Sequence, residues 1–432
     1  MNIHVLGVGS IGSLIAAHLR FSTSYPITLL VKRDSFAQTL TRDLEQTIVI
    51  EREGSVIRAT GFSIQLTDPA AEIMRTMLRG PNGKLRANIL RPRSRSPSLA
   101  IPTPNEETSP IDSLIITTKA PSTWRAVRAL SSRLTPNSTI TLIQNGMGVY
   151  EQLCAKVFPS SASRPHFIIA STTHGAWAKR PFYTVHAGLG DLVFGVVPSE
   201  RVDLPLDLEK NYREIARKQG QSGESNEPTL EELQKEQEAL LQKLTPHNSL
   251  YQTIRALLSL RGLSPSWVGA ADLQERLQRK LVTNSVINPL TAIMGCRNGK
   301  LAGDPGAQRI ARGVCQEAEK VFRAQLLEDE NYTGSSNTNP PQYTEQDLAN
   351  ANLSRRLIAK SLEAEFVRVA ELTAVNISSM LQDVKNGVET EVDYMNGYLI
   401  RMGVKYGIPT PVNEMLRTLV QIKTRLPGGE EM

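Results

Sequence analysis

The sequence predicts a two-part chain: an α/β N-terminal domain built on a parallel sheet, then an all-α C-terminal domain. Three observations carry that reading. A glycine-rich turn follows a β-rich run near residue 3, short apolar runs alternate with helical patterns up to about residue 270, and from about residue 271 the spacing is helical alone. The expected domains are 1–270 and 271–432.

Ile3 to Leu6 reads as the first strand. Gly7-Val8-Gly9-Ser10-Ile11-Gly12 follows, and Leu14, Ile15, Ala17 and Leu19 then repeat at helical spacing. Ile27 to Val31 is the next apolar run. Strand, tight turn, helix and strand make a βαβ unit, whose crossover implies parallel pairing. Thr47 to Ile50, Leu114 to Thr117, Ile140 to Ile143 and Phe167 to Ala170 read as further strands, with helices over Trp124–Leu134 and Val149–Val157. The C-terminal half reads as helices over Leu273–Ala292, Ala307–Leu326, Leu357–Val384 and Glu391–Tyr406.

Three stretches break this rhythm. Residues 70–110 are rich in Arg, Pro and Ser, residues 199–247 are highly charged, and residues 328–347 hold a Gly/Ser/Asn/Pro cluster. All three read as surface insertions or flexible loops. Within the second, Thr229 and Glu232 have the spacing of a capping box. Leu230, Leu233, Leu240, Leu241 and Leu244 then line one face of a helix lying on the domain surface.

Composition excludes several classes. A chain of 432 residues, 40% hydrophobic, is long enough for two or three domains at roughly 100–200 residues each. No run approaches the roughly 18–20 apolar residues of a membrane span. The strand pattern begins by residue 3, leaving no room for a targeting segment, so a cytoplasmic location is expected. Cys154, Cys296 and Cys315 are isolated, with no Cys/His cluster, which argues against a zinc site or a disulfide framework. The net charge of +6 belongs to one segment: Arg75, Arg79, Lys84, Arg86, Arg91, Arg93 and Arg95 face only Glu72. That segment lacks interleaved aromatics, so no nucleic-acid partner is expected.

A lone GxGxxG is a weak signal. Here it follows a strand and opens a helix inside a βαβ unit, the context a dinucleotide site requires. Gly7 permits the tight turn, Gly9 the approach of a pyrophosphate, and Gly12 close packing of helix and strand. The helix N-terminus offers free N–H groups to phosphate. At the end of the second strand stand Lys32 and Arg33, where an NAD enzyme usually carries an acid that bonds the ribose 2′-hydroxyl. Two cations suit a 2′-phosphate, so NADP is favoured; the adjacent Asp34 keeps NAD open.

In the helical half, Lys280, Asn284 and Asn288 are four apart and share one helix face. Leu281, Val282, Val286, Ile287 and Leu290 surround them, so the row is expected to be largely buried, where it would be costly without partners. Pro289 deprives the Ser285 carbonyl of its helical partner. Asn376 and Ser379 form a second polar set, among Val375, Ile377, Met380 and Leu381, on the helix read over Leu357–Val384.

These residues resemble the ketopantoate reductase family. The resemblance rests on Lys280-Leu281-Val282-Thr283-Asn284-Ser285-Val286-Ile287-Asn288-Pro289-Leu290-Thr291-Ala292, on Asn145-Gly146-Met147-Gly148, on Asn376-Ile377-Ser378-Ser379-Met380-Leu381-Gln382-Asp383, and on Thr390-Glu391-Val392-Asp393-Tyr394-Met395-Asn396-Gly397. The motifs keep the family's order and span nearly the whole chain. The resemblance implies a Rossmann-type N-terminal domain and a helical domain like the C-terminal domain of 6-phosphogluconate dehydrogenase. It also implies NADPH-dependent reduction of 2-dehydropantoate to (R)-pantoate, a step towards pantothenate and coenzyme A.

By the family's pattern Lys280 is the proton donor. Asn145, Asn284, Asn288, Asn298, Asn376 and Ser379 are substrate contacts, together with Lys280 itself. Gly7, Val8, Gly9, Ser10, Ile11 and Gly12 form the pyrophosphate loop, and Lys119, Asn145, Ala176 and Glu391 are further cofactor contacts. No metal is implied. The three insertions depart from compact members and leave open whether the protein is a monomer or a homodimer. Two other readings stand beside this one: a reductase of another branched 2-keto acid, and a non-catalytic regulatory protein that retains the fold.

Overall fold

A computed structural model describes residues 1–32, 34–38, 40, 46–67, 109–199, 248–329 and 343–426. Arg33, the basic segment at 75–95 and the Thr229–Glu232 capping box lie outside the described residues, as does most of each expected insertion. The chain forms two compact units. One comprises residues 1–144 and 152–270, the other residues 145–151 and 271–432.

The first unit is a Rossmann-type α/β domain. Strand β1 (Ile3–Leu6) leads through the glycine turn into α1 (Ser10–Ser22), and β2 (Ile27–Val31) pairs parallel to β1. A short helix α2 (Asp34–Gln38) follows. Strands β3 (Ile48–Arg52) and β4 (Ser55–Ala59) make a hairpin, and β5 (Ser63–Leu66) returns to pair parallel to β2. After β6 (Ser113–Ile116) come α3 (Ala120–Ala129), β7 (Thr139–Leu142), α4 (Val149–Lys156) and β8 (His166–Thr172). Then β9 (Gly175–Arg180), β10 (Tyr183–Gly188), β11 (Leu192–Val196), α5 (Ser249–Leu258) and β12 (Pro265–Trp267) complete the unit.

The main sheet has the order β12-β11-β8-β7-β6-β1-β2-β5. From β8 to β5 every pairing is parallel, and β11 joins β8 antiparallel. Every residue of β1, β2, β6 and β7 is buried, which fits a sheet covered on both faces. The chain runs outward from β1 through β2 to β5 and then returns to β6 on the other side of β1. That reversal is a topological switch point, where open α/β sheets bind ligands outside the carboxyl ends of their strands.

A second sheet, β4-β3-β10-β9, packs against α1. Of its strands only β3 is legible in the sequence, as Thr47–Ile50, because the other three are exposed or mixed along their length. The β3–β4 hairpin turns at Glu53 and Gly54, both with positive φ.

The second unit is helical. Helix α6 (Ala270–Met294) carries Pro289 in its interior, and α7 (Gly299–Ala302) and α8 (Pro305–Asp329) follow. Then come α9 (Glu345–Asn350), α10 (Ala359–Leu372), α11 (Ser379–Lys385), α12 (Asn396–Tyr406) and α13 (Pro411–Arg425). Its core joins Val286 and Leu290 of α6 to Val314, Ala318 and Phe322 of α8 and Leu362 and Phe366 of α10.

Two sequence expectations change here. Leu357–Val384 is not one helix. It breaks between Leu372 and Ser379, so Val375 and Ile377 project into solvent, 73% and 37% exposed. Glu391–Tyr406 begins as a 3-10 turn over Val392–Tyr394 and becomes α-helical only from Asn396. No described helix is long and apolar enough to cross a membrane.

Candidate active site

In the first unit the glycine turn lies at the carboxyl end of β1. Gly7 has φ +98°, a conformation that L side chains rarely adopt. A Cβ at Gly12 would overlap the Gly7 carbonyl and the Thr117 hydroxyl, whereas a Cβ at Gly9 would meet nothing within 4 Å. Gly12 is thus glycine because α1 packs tightly on the turn. Gly9, the exposed N-cap of α1, is crowded by nothing in the chain itself, which leaves room for a ligand close to the backbone. Helix α1 has no side-chain cap and no acid in its first turn, so its leading N–H groups and positive dipole end can serve an anion.

The neighbouring strand β6 delivers Lys119 to the same end of the sheet. The Thr117 hydroxyl donates to the Gly7 carbonyl, and a Cβ at Gly7 would crowd the Thr118 amide. Lys119 is half-buried at the N-cap position of α3, and its carbonyl accepts from the Ser122 hydroxyl at 3.0 Å. The Thr118 and Thr123 hydroxyls bond at 3.0 Å, and Gln144 Nε2 donates to Thr123 at 2.6 Å. The structure thereby joins the glycine turn to the loop bearing Lys119, at the switch point.

Lys32 follows β2 and is exposed. Ala176 lies on β9, which packs against α1, opposite His186 on β10. The strand start is pinned by buried His174, whose Nδ1 accepts from the Gly190 amide at 3.0 Å and lies 3.0 Å from His186 Nε2. Burial lowers the His186 pKa, with His174 adding to the shift. His18 on α1 is held at about 4, chiefly by burial. His18 is therefore neutral near pH 7, and among the described residues no group of these histidines could hold a metal ion.

In the second unit the Lys280, Asn284, Asn288 row lies along α6. Lys280 and Asn284 are half-buried and Asn288 is buried, so the row is more open at its lysine end than the sequence suggests. Asn288 Nδ2 lies 3.5 Å from Met395 Sδ. The turn Asn145-Gly146-Met147-Gly148 packs with this helical unit. Gly146 and Gly148 have positive φ, a Cβ at Gly146 would overlap the Tyr394 carbonyl, and the Met147 amide donates to that carbonyl at 2.8 Å. Half-buried Asn145 and buried Glu391 are thus carried by two segments that meet at Tyr394.

Arg401 donates to the Asp393 carbonyl at 2.8 Å.

The remaining predicted residues meet at the break between α10 and α11. Asn298 is buried, and its Nδ2 donates to the Thr373 hydroxyl at 2.9 Å. The Asn298 amide donates to the Asn376 carbonyl at 3.1 Å and the Gly299 amide to the Ala374 carbonyl at 3.2 Å. Asn298 Oδ1 is buried with no partner, an acceptor directed at nothing in the chain. Asn376 precedes α11 and Ser379 is its first residue; both are exposed rather than set on a buried helix face.

Sequence reasoning missed Ser378 and Thr291. Ser378 is the buried N-cap of α11, accepting from the Leu381 amide at 3.1 Å, and its hydroxyl lies 2.6 Å from that of Thr291 on α6. The available signal was a serine just ahead of the Met380–Leu381 apolar pair, a helix-start pattern. Cys315 is fully buried and its thiol is pushed up to about 12, which makes it inert.

Comparison with known proteins gives two family matches. Residues 3–199 match the family model described as "Ketopantoate reductase PanE/ApbA", and residues 272–424 match "Ketopantoate reductase PanE/ApbA C terminal". A "Probable 2-dehydropantoate 2-reductase" of Schizosaccharomyces pombe is 26% identical over 428 residues, covering 98% of this chain and 96% of that protein. The "2-dehydropantoate 2-reductase" of Escherichia coli O157:H7 is 29% identical over 312 residues, covering 72% and 74%. Among solved structures, a D-mandelate dehydrogenase with NADH and anilino(oxo)acetate superposes with TM-score 0.63 at 17% identity, covering both chains fully. A PanE/ApbA family ketopantoate reductase from Ralstonia eutropha JMP134 gives 0.60 at 18%, covering 98% of this chain and 99% of that one. At these identities the two structures speak for the fold.

Proposed function

The chain belongs to the ketopantoate reductase family of oxidoreductases, and on that premise we propose that it reduces 2-dehydropantoate to (R)-pantoate with NADPH, Lys280 giving the proton. The observation that supports this most directly is the grouping of polar residues in the helical unit. The Lys280 row, the Asn145 turn, Glu391 and the Asn298–Ser379 cluster bring an ammonium, amides, a hydroxyl and a carboxylate onto one helical scaffold. That set matches the chemistry of a small polyoxygenated acid.

The glycine turn fits a dinucleotide, because Gly9 has open space beside its backbone and the first turn of α1 carries no anion of its own. When bound, NADPH supplies the hydride. Lys280 hydrogen-bonds the keto oxygen and protonates it as negative charge develops there. Asn284, Asn288 and Asn298 hold the substrate hydroxyl. Ser379 and the backbone N–H groups beside it take the carboxylate. Lys119, Asn145, Ala176 and Glu391 hold the cofactor, and Lys32 and Arg33 take the 2′-phosphate.

The deciding assay follows NADPH oxidation against a panel of 2-keto acids. 2-Dehydropantoate is expected to give the highest kcat/KM, and a higher value for any other branched 2-keto acid overturns the assignment.

Two binding results are expected from the first unit. Arg33→Ala combined with Lys32→Ala weakens NADPH about tenfold or more, the size of one or two lost charge-assisted bonds, with little effect on NADH. A preference of the unmodified protein for NADH would overturn the NADP reading. Gly9→Ala leaves the melting temperature unchanged, since its methyl meets no atom of the chain, yet raises the NADPH dissociation constant at least about tenfold by blocking the backbone's approach to the pyrophosphate. Unaltered NADPH affinity in Gly9→Ala would show that the pyrophosphate does not sit on this turn.

A further inference from the structure

Pro289 lies inside α6 and has no N–H to give to the Ser285 carbonyl four residues earlier. Ser285 is fully buried, so water cannot replace that donor. The structure supplies it from another helix. Asn396, at the start of α12 and fully buried, donates from Nδ2 to the Ser285 carbonyl at 2.9 Å. The same Nδ2 group donates to Asn413 Oδ1, also at 2.9 Å, so both amide hydrogens have acceptors.

Asn413, fully buried, in turn donates from Nδ2 to Glu317 Oε2 at 2.7 Å. Glu317, on α8 and buried, accepts from the Val412 amide at 2.7 Å and the Asn413 amide at 3.1 Å. It therefore caps α13, whose own N-cap residue Thr410 makes no side-chain bond. A carboxylate at a helix N-terminus is electrostatically favoured. The relay runs from α8 through α13 and α12 to the one carbonyl of α6 that Pro289 leaves without a helical donor.

That carbonyl belongs to the residue after Asn284 and lies three residues before Asn288. A helix that has lost an interior hydrogen bond bends easily at that point. The donor that replaces the missing bond therefore sets how the arm carrying Lys280 and Asn284 stands relative to Asn288 and Thr291. We infer that Asn396, backed by Asn413 and Glu317, is a positioning residue for the Lys280–Asn284–Asn288 row: it holds α6 in one geometry at the Pro289 break. The inference rests on the reading of that row as the keto-acid site.

The test combines Asn396→Ala with Pro289→Ala. The single Asn396→Ala variant leaves the Ser285 carbonyl buried without a donor. Its kcat with 2-dehydropantoate is expected to fall at least tenfold, and its NADPH dissociation constant to stay within about twofold of normal. Adding Pro289→Ala restores an N–H four residues after Ser285, so the double variant is expected to recover most of the lost kcat even though Asn413 still lacks its partner. Because restoring that helical bond also restores stability, kcat is measured well below the melting temperature of each variant, where the folded fraction is the same. Hydrogen exchange over residues 281–292 should rise in the single variant and fall again in the double one, whatever substrate the enzyme uses.

Unchanged kcat in Asn396→Ala overturns the proposal, and so does an equal loss in the single and double variants. If Asn396→Ala does not fold, Asn396→Leu, which keeps the bulk of the side chain but has no donor, takes its place with the same expectations and the same overturning results. Failure of the unmodified enzyme to reduce 2-dehydropantoate would instead overturn the substrate reading, and the exchange measurement would still decide the role of Asn396.

Discussion

Lys280→Ala is expected to lower turnover at least about a hundredfold while NADPH affinity stays near normal. Lys280 is half-buried on α6, four residues from Asn284 and eight from Asn288. Its ammonium does two things in the proposed reaction: it meets the charge growing on the keto oxygen, and it delivers the proton. General acid catalysis alone is worth roughly two to four decades of rate. The electrostatic contribution adds to that wherever the donor is placed before charge develops. The glycine turn and Lys32 belong to the other unit, so the variant should still bind NADPH.

Fluorescence titration of NADPH beside steady-state turnover separates these effects. Lys280→Arg keeps the charge but holds its proton far more tightly. It should therefore fall between the wild type and the alanine variant. Near-normal turnover in Lys280→Ala would remove Lys280 as the acid.

The βαβ start was legible because its information is local. Ile3–Leu6 and Ile27–Val31 are strands with those bounds, and the three glycines each have a steric or spatial reason in the structure. Helix α6 was legible for a similar reason, since a long apolar face at 3.6 spacing leaves few alternatives. The Pro289 argument went further: it identified the Ser285 carbonyl as lacking a helical partner, and the structure shows Asn396 meeting it. What the sequence could not show was that the partner lies 111 residues away.

The parts that escaped depend on contacts distant in sequence. Val375 and Ile377 continue the apolar rhythm of α10, so the pattern extends the helix through them. The backbone instead leaves the helix where Asn298 and Gly299 bond the carbonyls of Asn376 and Ala374. Periodicity within one helix cannot reveal a clasp made by two amides about 75 residues earlier in the chain. The same holds for residues 145–151, which follow β7 yet pack with the helical unit. Gly146 can approach the Tyr394 carbonyl only without a side chain, and Met147 bonds it. In the second sheet Thr47–Ile50 was legible as a strand, but its partners were not, because exposed strands such as Ser55–Ala59 lack a long apolar run.

2-Ketoisovalerate differs from 2-dehydropantoate by lacking the hydroxymethyl group, and it is expected to be reduced with kcat/KM at least about a hundredfold lower. Sites built to hydrogen-bond a substrate hydroxyl reject an analogue without it by far more than the lost contact area would imply, about four to five decades in the strongest cases. The reason is that buried polar groups are left unpaired, each at a cost of about 1–3 kcal/mol. Asn298 is suited to this role. It is 7% exposed, its Nδ2 is engaged by Thr373, and its Oδ1 is a buried acceptor with no partner in the chain. A hydroxyl of the substrate would complete it, whereas a methyl in the same place would not. Asn298→Ala should therefore reduce kcat/KM for 2-dehydropantoate by tenfold or more and change that for 2-ketoisovalerate much less, narrowing the ratio between them. Parallel steady-state measurements on both substrates decide the matter. Equal efficiency in the wild type would show that the amides do not read the hydroxyl, and an unchanged ratio in Asn298→Ala would move that recognition to Asn284 or Asn288.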